Sequence, residues 1–333
     1  MKIQQLIAAT ALAVSFSAGA ASSLNLANYS VSGVYALDVL GGTSGGISGL
    51  EASAVTYAKD RIDPFTGKLG TLFFVGDEGT GVVEISRTGQ TIGSMAFNWT
   101  STGSTKHDTE GLTYLGNGVL VVGEERLYDA YSFNYLAGGT ANLVSSGVSI
   151  SNANVGNSGM EGISYDPRDG SFVAVKQESP EDILAGKLSF GANLAGSSTM
   201  STLFNASLMG LATLSDVQTL SPIDSLAGTA AADNLLVLSL GSRSLIEVNR
   251  AGQVLSTFDL TNVLAHNGIE GVTVDDKGTI YLVAEQIQDG SNIDPNPASQ
   301  LIVLTAPVPE PTTYAMLMAG LGLIGFAVRR NRR

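Results

Sequence analysis

The sequence predicts an all-β chain folded as a β-propeller, with five blades and a ring closed by an N-terminal strand. Three observations carry this. A short phrase recurs at blade-sized intervals. Each copy is followed by the same order of strands and turns. The last copy stops one strand short, while a strand near the N-terminus has no partner of its own.

The phrase is a Glu, a small residue, a β-branched or leucyl pair, and often Tyr and Asp-Pro. It reads Glu51-Ala-Ser-Ala-Val-Thr-Tyr57, Glu110-Gly-Leu-Thr-Tyr114, Glu161-Gly-Ile-Ser-Tyr165-Asp-Pro and Glu270-Gly-Val-Thr-Val274-Asp-Asp. A fifth, eroded copy spans Leu226 to Asp233, with Ala227 in place of Glu. Starts 43 to 66 residues apart mean one supersecondary unit per copy.

Each unit opens with the Glu phrase as one strand. A turn such as Asp63-Pro-Phe-Thr-Gly67 or Asp166-Pro-Arg-Asp-Gly170 leads to a strongly apolar strand: Thr71 to Val75, Val119 to Val122, Phe172 to Val175, Leu235 to Leu238, Ile280 to Val283. An alternating third strand follows, as in Gly81 to Ser86 and Ser244 to Asn249, and then a fourth, Thr91 to Phe97 or Val254 to Leu260. Four antiparallel strands per unit make a blade. The final unit has Glu270 to Val274, Ile280 to Val283 and Gln300 to Thr305, and Tyr29 to Asp38 supplies its missing strand. Closure of this kind removes exposed sheet edges. The segment Leu188 to Leu220 leaves room for a sixth blade.

Of 333 residues only 14% are charged, with 40 Gly, 9 Pro and no Cys, which excludes a disulfide scaffold. The formal net charge is −13. Without Lys2, the four terminal Arg and Glu310, the body keeps 12 basic and 29 acidic residues. Such a body repels phosphate backbones, so nucleic acid is excluded as a partner. It attracts cations.

Both ends read as addresses. Met1-Lys2, an apolar run from Leu6 to Phe16 and Ala18-Gly-Ala20 form a secretory signal over residues 1–20. Residues 24–307 form the propeller. Residues 308–333 carry Val308-Pro-Glu-Pro311, an apolar stretch from Tyr314 to Val328, and Arg329-Arg-Asn-Arg-Arg333. As a helix the stretch spans roughly 23 Å, short for a hydrocarbon core of about 30 Å, and the Arg cluster stays cytoplasmic. This order of parts resembles the PEP-CTERM sorting signal of Gram-negative bacteria. The resemblance implies export, transient inner-membrane anchoring through a short transmembrane helix, cleavage by an exosortase, and release to the cell surface or extracellular matrix.

The blade phrases Leu72-Phe-Phe-Val-Gly-Asp-Glu78, Asp108-Thr-Glu-Gly-Leu-Thr-Tyr114 and Gly159-Met-Glu-Gly-Ile-Ser-Tyr-Asp-Pro167 resemble the SdiA-regulated (YjiK-like) propeller family. Phytase-like and esterase-like propellers are a weaker resemblance. The first family implies a fold and an envelope location, without an established reaction.

The first strand of a blade lines the central channel, so Glu51, Glu110, Glu161 and Glu270 are expected to converge on one axis. Converging carboxylates either hold protons at raised pKa or surround a cation. With no Cys and two His, the fitting ion is a hard one, Ca²⁺. The alternative is that each Glu binds backbone N–H groups of a neighbouring blade and fixes the ring. Acids closing the second strands, Asp77, Glu78, Glu124, Glu125, Glu178 and Glu285, form a second set, or simply solvated strand ends. His107 and His266 precede Glu110 and Glu270; beside a metal-bound water either is a candidate general base, as the resemblance to calcium-dependent lactonase and esterase propellers implies. Trp99, Tyr114, Tyr128, Tyr131 and Tyr135 offer either a sugar-stacking face or blade packing. The reading is an exported binding or scaffold module holding Ca²⁺, with an exopolysaccharide or small molecule as ligand; the alternative is a metal-dependent hydrolase of an ester, lactone or phosphoester.

Overall fold

The computed structural model describes residues 23–37, 43–44, 47–48, 51–77, 79–150, 156–177, 180–287 and 298–307. The signal and the sorting segment with its apolar stretch lie outside the described residues. Among the described residues no helix is long and apolar enough to cross a membrane.

Five sheets form five blades, whose strands run in order from the channel outward. Blade I is Glu51–Ile62, Leu69–Asp77, Gly81–Ile85 and Thr91–Asn98. Blade II is Thr109–Gly116, Val119–Glu124, Asp129–Asn134 and Gly147–Ser149. Blade III is Met160–Asp166, Ser171–Lys176, Asp182–Gly186 and Ser201–Phe204. Blade IV is Asp216–Thr219, Leu235–Ser239, Ser244–Val248 and Val254–Asp259. Blade V is Asn267–Val274, Ile280–Ile287, Gln300–Thr305 and, as its outermost strand, Ser30–Ala36. The N-terminal strand pairs antiparallel with Gln300–Thr305, from Ser30 opposite Thr305 to Ala36 opposite Gln300. The ring therefore closes as the unpaired N-terminal strand predicts.

The second strands are buried on both faces, which is why they read as unbroken apolar runs. Leu72, Phe73, Phe74 and Val75 are all fully buried. Phe73 and Val75 pack toward blade II with Leu112 and Leu120, while Leu72 and Phe74 pack toward blade V with Tyr281 and Leu301. Three further clusters fill the other joints between neighbouring blades. The core is thus five interfaces, each shared by two blades.

Blade IV departs from expectation. Its inner strand is Asp216–Thr219, while Asp224–Leu226 and Ala230–Asp233 form two short 3-10 turns outside the sheet. Ala227 is an exposed turn residue. The similarity of Leu226-Ala-Gly-Thr to the blade phrase is a coincidence of small residues at a tight turn. The stretch proposed to hide a sixth blade instead carries a two-stranded excursion (Leu188–Ser189 with Ser197–Ser198), the outer strand of blade III and the inner strand of blade IV.

At the axis, neighbouring inner strands are joined by side-chain oxygens. The amide of Tyr57 donates to Thr273 Oγ1 (3.1 Å), that of Tyr114 to Thr56 Oγ1 (3.0 Å), that of Tyr165 to Thr113 Oγ1 (2.9 Å), and that of Thr219 to Ser164 Oγ (3.0 Å). Between blades IV and V the hydroxyl is replaced by Gln218, whose Oε1 accepts from Thr273 Oγ1 at 2.9 Å. One contact from each blade completes a collar. Its chemical origin is the Thr or Ser three residues after each Glu at position 110, 161 or 270.

Thr113→Val leaves the Tyr165 amide without its acceptor at nearly constant volume. The expected loss is about 1–3 kcal/mol, read as a lower urea midpoint with unchanged slope. Thr113→Ser is expected to retain most of it.

Candidate functional site: an acidic channel mouth

Sheet register decides which side chains face the channel at its other end. In blades II, III and V the inner strand carries a one-residue irregularity at Glu110, Glu161 and Glu270, so each is unpaired in its own sheet. Bulges re-aim a side chain in this way. The Gly after each Glu permits close approach of the next blade: a Cβ at Gly162 would meet the Asp216 carboxylate, and one at Gly271 the backbone carbonyl of Ser53.

One expected ring member, Glu51, is not at a bulge, and blade IV places an acid in another role. In blade I the bulged residue is Ser53, three before the collar residue Thr56. Glu51 lies two residues earlier, opposite Asp77, and accepts a hydrogen bond from Gln286 Nε2 at 2.6 Å. The two extra residues in Glu51-Ala-Ser-Ala-Val-Thr hide this shift when the phrases are aligned on Glu. In blade IV Asp216 is paired within its sheet, opposite Leu238. Its Oδ2 accepts from the Val272 amide (2.7 Å) and its Oδ1 from the Val217 amide (2.7 Å). Asp216 is therefore a strut to the next blade, the ring-fixing role weighed for the glutamates. Burial pushes its pKa well up, and those two amides oppose the shift.

Around the three bulged glutamates the fold gathers a second tier. Asp77, Glu125 and Glu285 close the second strands of blades I, II and V, and Asp108 stands two residues before Glu110. Glu161 shares a hydrogen bond with Glu125, Glu270 with Glu285, and Asp108 with Asp77. Asp77, Asp108 and Glu110 place one oxygen each within 4.8 Å of one another. Glu110 and Glu161 are 8% and 7% exposed, and Asp108 and Glu125 only 2%. Asp77, Glu125 and Glu285 are thus members of the site rather than solvated strand ends. Glu124 is not: it serves its own blade, accepting from Ser104 Oγ (2.6 Å) and the Leu127 amide (2.7 Å). Glu78 and Glu178 lie outside the described residues. Arg126 brings a positive charge to the group, its Nε 2.5 Å from Asp108 Oδ2.

Burial, followed by repulsion from Glu161, Glu270, Asp77 and Asp108, holds Glu110 well above its ordinary 4.5. Burial and then Glu125 raise Glu161; burial and then Glu285 raise Glu270. Burial also raises Glu285 and Asp108. Two carboxyl groups that share a hydrogen bond need a proton or a cation between them.

The histidines flank this mouth differently. His107 precedes Asp108 with φ 62°, and its ring stacks on Trp99 with centroids 5.0 Å apart and planes at 10°. His266 is exposed, one residue before the inner strand of blade V. Of the aromatics, Trp99, Tyr128, Tyr131 and Tyr135 are buried between blades, and Tyr114 is half-buried at the opposite mouth. Asp108 was not singled out from the sequence, although its spacing of two from Glu110 matches that of Glu51 from Ser53.

The SdiA-regulated family profile matches residues 40–286. The chain belongs to the SdiA-regulated family. The PEP-CTERM protein-sorting motif matches residues 307–333, which makes this family member an exported protein, processed by an exosortase-type enzyme and sorted in a Gram-negative envelope. Among solved structures it is similar to the glutaminyl cyclase of Myxococcus xanthus (11% identity, 85% of this chain and 97% of that one, TM-score 0.48). It is also similar to a luciferin-regenerating enzyme (10% identity, 83% and 95%, TM-score 0.45). A third is the Cps50 (Swd1) β-propeller domain of Myceliophteria thermophila (12% identity, 80% and 71%, TM-score 0.35). None of these likenesses bears on activity.

The raised carboxyl groups fix the sign of the pH dependence. In the metal-free protein they bind more protons folded than unfolded. Their contribution is fully present below about pH 4.5 and is lost as pH rises through the elevated folded values. Urea unfolding in chelator is expected to show stability falling from about pH 5 to pH 8; a rising profile over that range contradicts the assignment.

Proposed function

We propose that this exported propeller is a binding module whose acidic mouth holds a hard divalent cation, Ca²⁺, joining blades that the collar ties only at the other end. The observation that supports it most is the Asp77, Asp108 and Glu110 triad. Three oxygens within 4.8 Å of one another suit a common ion at about 2.3–2.6 Å, and the second tier supplies more of the six to eight oxygens such an ion takes. All donors are carboxylate oxygens, which selects against soft metals. A bound cation would also replace the shared protons and lower the raised pKa values. It would act by charge compensation and crosslinking, stabilising the open end of the ring.

A binding role is preferred to hydrolysis because of where the histidines lie. His107 packs one face on Trp99, and His266 sits on the exposed approach to blade V. Catalysis would require one of them at an open coordination position. Transient inner-membrane anchoring before cleavage belongs to the same proposal, and follows from the apolar and Arg-rich order of the sorting segment.

Metal titration of the processed protein tests this. Calcium at about 100 times its dissociation constant is expected to add about 2.7 kcal/mol of stability, removed by chelator. Glu110→Gln is expected to weaken calcium binding about a hundredfold or more while raising metal-free stability, since it removes a repelled carboxylate. No bound metal and an identical melt in calcium and chelator would refute the proposal.

A further inference from the structure

The same inner strands that present carboxylates at one mouth present different chemistry at the other. From Glu110 to Tyr114 the strand advances about 13 Å. There the channel widens into a cavity of about 380 Å³, within the size range of small-molecule sites. Its wall is built by Tyr57, Tyr114 and Tyr165, which follow the collar residue in three consecutive blades. All three are half-buried. The facing wall is the 3-10 turn region after blade IV's inner strand, through Pro222 and Ile223.

The floor carries the decisive chemistry. Thr56 and Thr113 are each only 4% exposed and line the cavity. Each Oγ1 accepts an amide hydrogen from the next blade. A hydroxyl used as an acceptor still has one proton to donate, and among the described residues no acceptor takes the proton of either Thr. Two buried hydroxyl donors therefore lie beneath three tyrosine rings. The rim carries both signs of charge, with Lys59 bound to Asp224 at 2.7 Å and Asp60 bound to the Tyr114 hydroxyl at 2.6 Å.

We propose that this mouth is a binding site for a neutral pyranose, as the end or side unit of a saccharide. A sugar ring supplies hydroxyl and ring oxygens for the threonine donors and an apolar face for the tyrosines. An acidic sugar would meet Asp60 and Asp224 on a strongly acidic body. A quaternary ammonium would suit the aromatic wall but offers the floor no acceptor. The site is independent of the cation at the other mouth.

Calorimetric titration of the processed protein with cellobiose and with maltose, in chelator and in calcium, tests this, with tetramethylammonium as a contrasting probe. At least one disaccharide is expected to bind, equally in both buffers. Tyr165→Ala removes one wall, and Ala227→Trp fills the mouth from an exposed turn without touching the collar. Each is expected to weaken binding about tenfold or more. The proposal is overturned if neither disaccharide binds, if tetramethylammonium alone binds, if binding disappears in chelator, or if Ala227→Trp binds as tightly as the unaltered protein.

Discussion

The structure depends on how closely five inner strands can approach one axis without sharing a sheet. Each sheet satisfies its own backbone internally, so the first strand of every blade faces its neighbour with unpaired amides. Buried amides must find acceptors. The collar answers this with the hydroxyl oxygens of Thr56, Thr113, Ser164 and Thr273, and Gln218 completes it by accepting the Thr273 hydroxyl proton. A single hydrogen bond of this kind is worth only about 1 kcal/mol net. The collar matters more through registration, since it fixes the height of each blade relative to the next. The apolar joints between blades supply attraction but little directional information.

That registration has a consequence at the other end of the strands. With the collar fixed, the residue three positions earlier falls at one common height. Where the strand bulges, as at Glu110, Glu161 and Glu270, that residue is released from its sheet and directed inward. In blade IV the residue three before Gln218 is Ser215, and the acid stands one residue later, at Asp216, which is paired in its sheet and whose side chain is captured by a neighbouring amide. The position of the acid within the phrase therefore decides between a pooled carboxylate and a structural strut. The difference is one residue of register, which suffices in a strand because side chains alternate faces.

This explains what was legible in the sequence. Blade count, strand order and ring closure were legible because each blade repeats the collar residue, the apolar run and the turn. The placement of Glu110, Glu161 and Glu270 was legible for the same reason. Blade IV was not, because Asp216-Val-Gln-Thr219 lacks the Gly and the Tyr, while Leu226-Ala-Gly-Thr229 imitates the phrase without belonging to a strand. Glu51 misled because two inserted residues keep a Glu at the start of the phrase while Ser53 takes its place in space. Aligning the phrases on Thr and Ser rather than on Glu would have shown this. The second tier was visible only as a set of acids at strand ends. Whether such acids are solvated or pooled depends on neighbouring blades, which no single phrase contains.

The two mouths divide the chemistry of one repeating strand. Acids at its beginning accumulate charge that the ring alone cannot neutralise, with Arg126 the base placed against them. Such an end is destabilised in proportion to how well the fold assembles it, because burial first and mutual repulsion second raise the carboxyl pKa values. A partner that compensates the charge is then linked to the closed ring itself, since an opened ring would disperse the ligands. At the other end Thr56 and Thr113 spend acceptor capacity on neighbouring amides and keep their protons, leaving two donors under an aromatic wall. The charge that would attract a cation at the first mouth is absent from the floor of the second. In the proposed reading, one scaffold holds an ion at one mouth and a ligand at the other without either interfering with the other. That separation follows from strand length, roughly 13 Å of backbone between them, rather than from any additional domain.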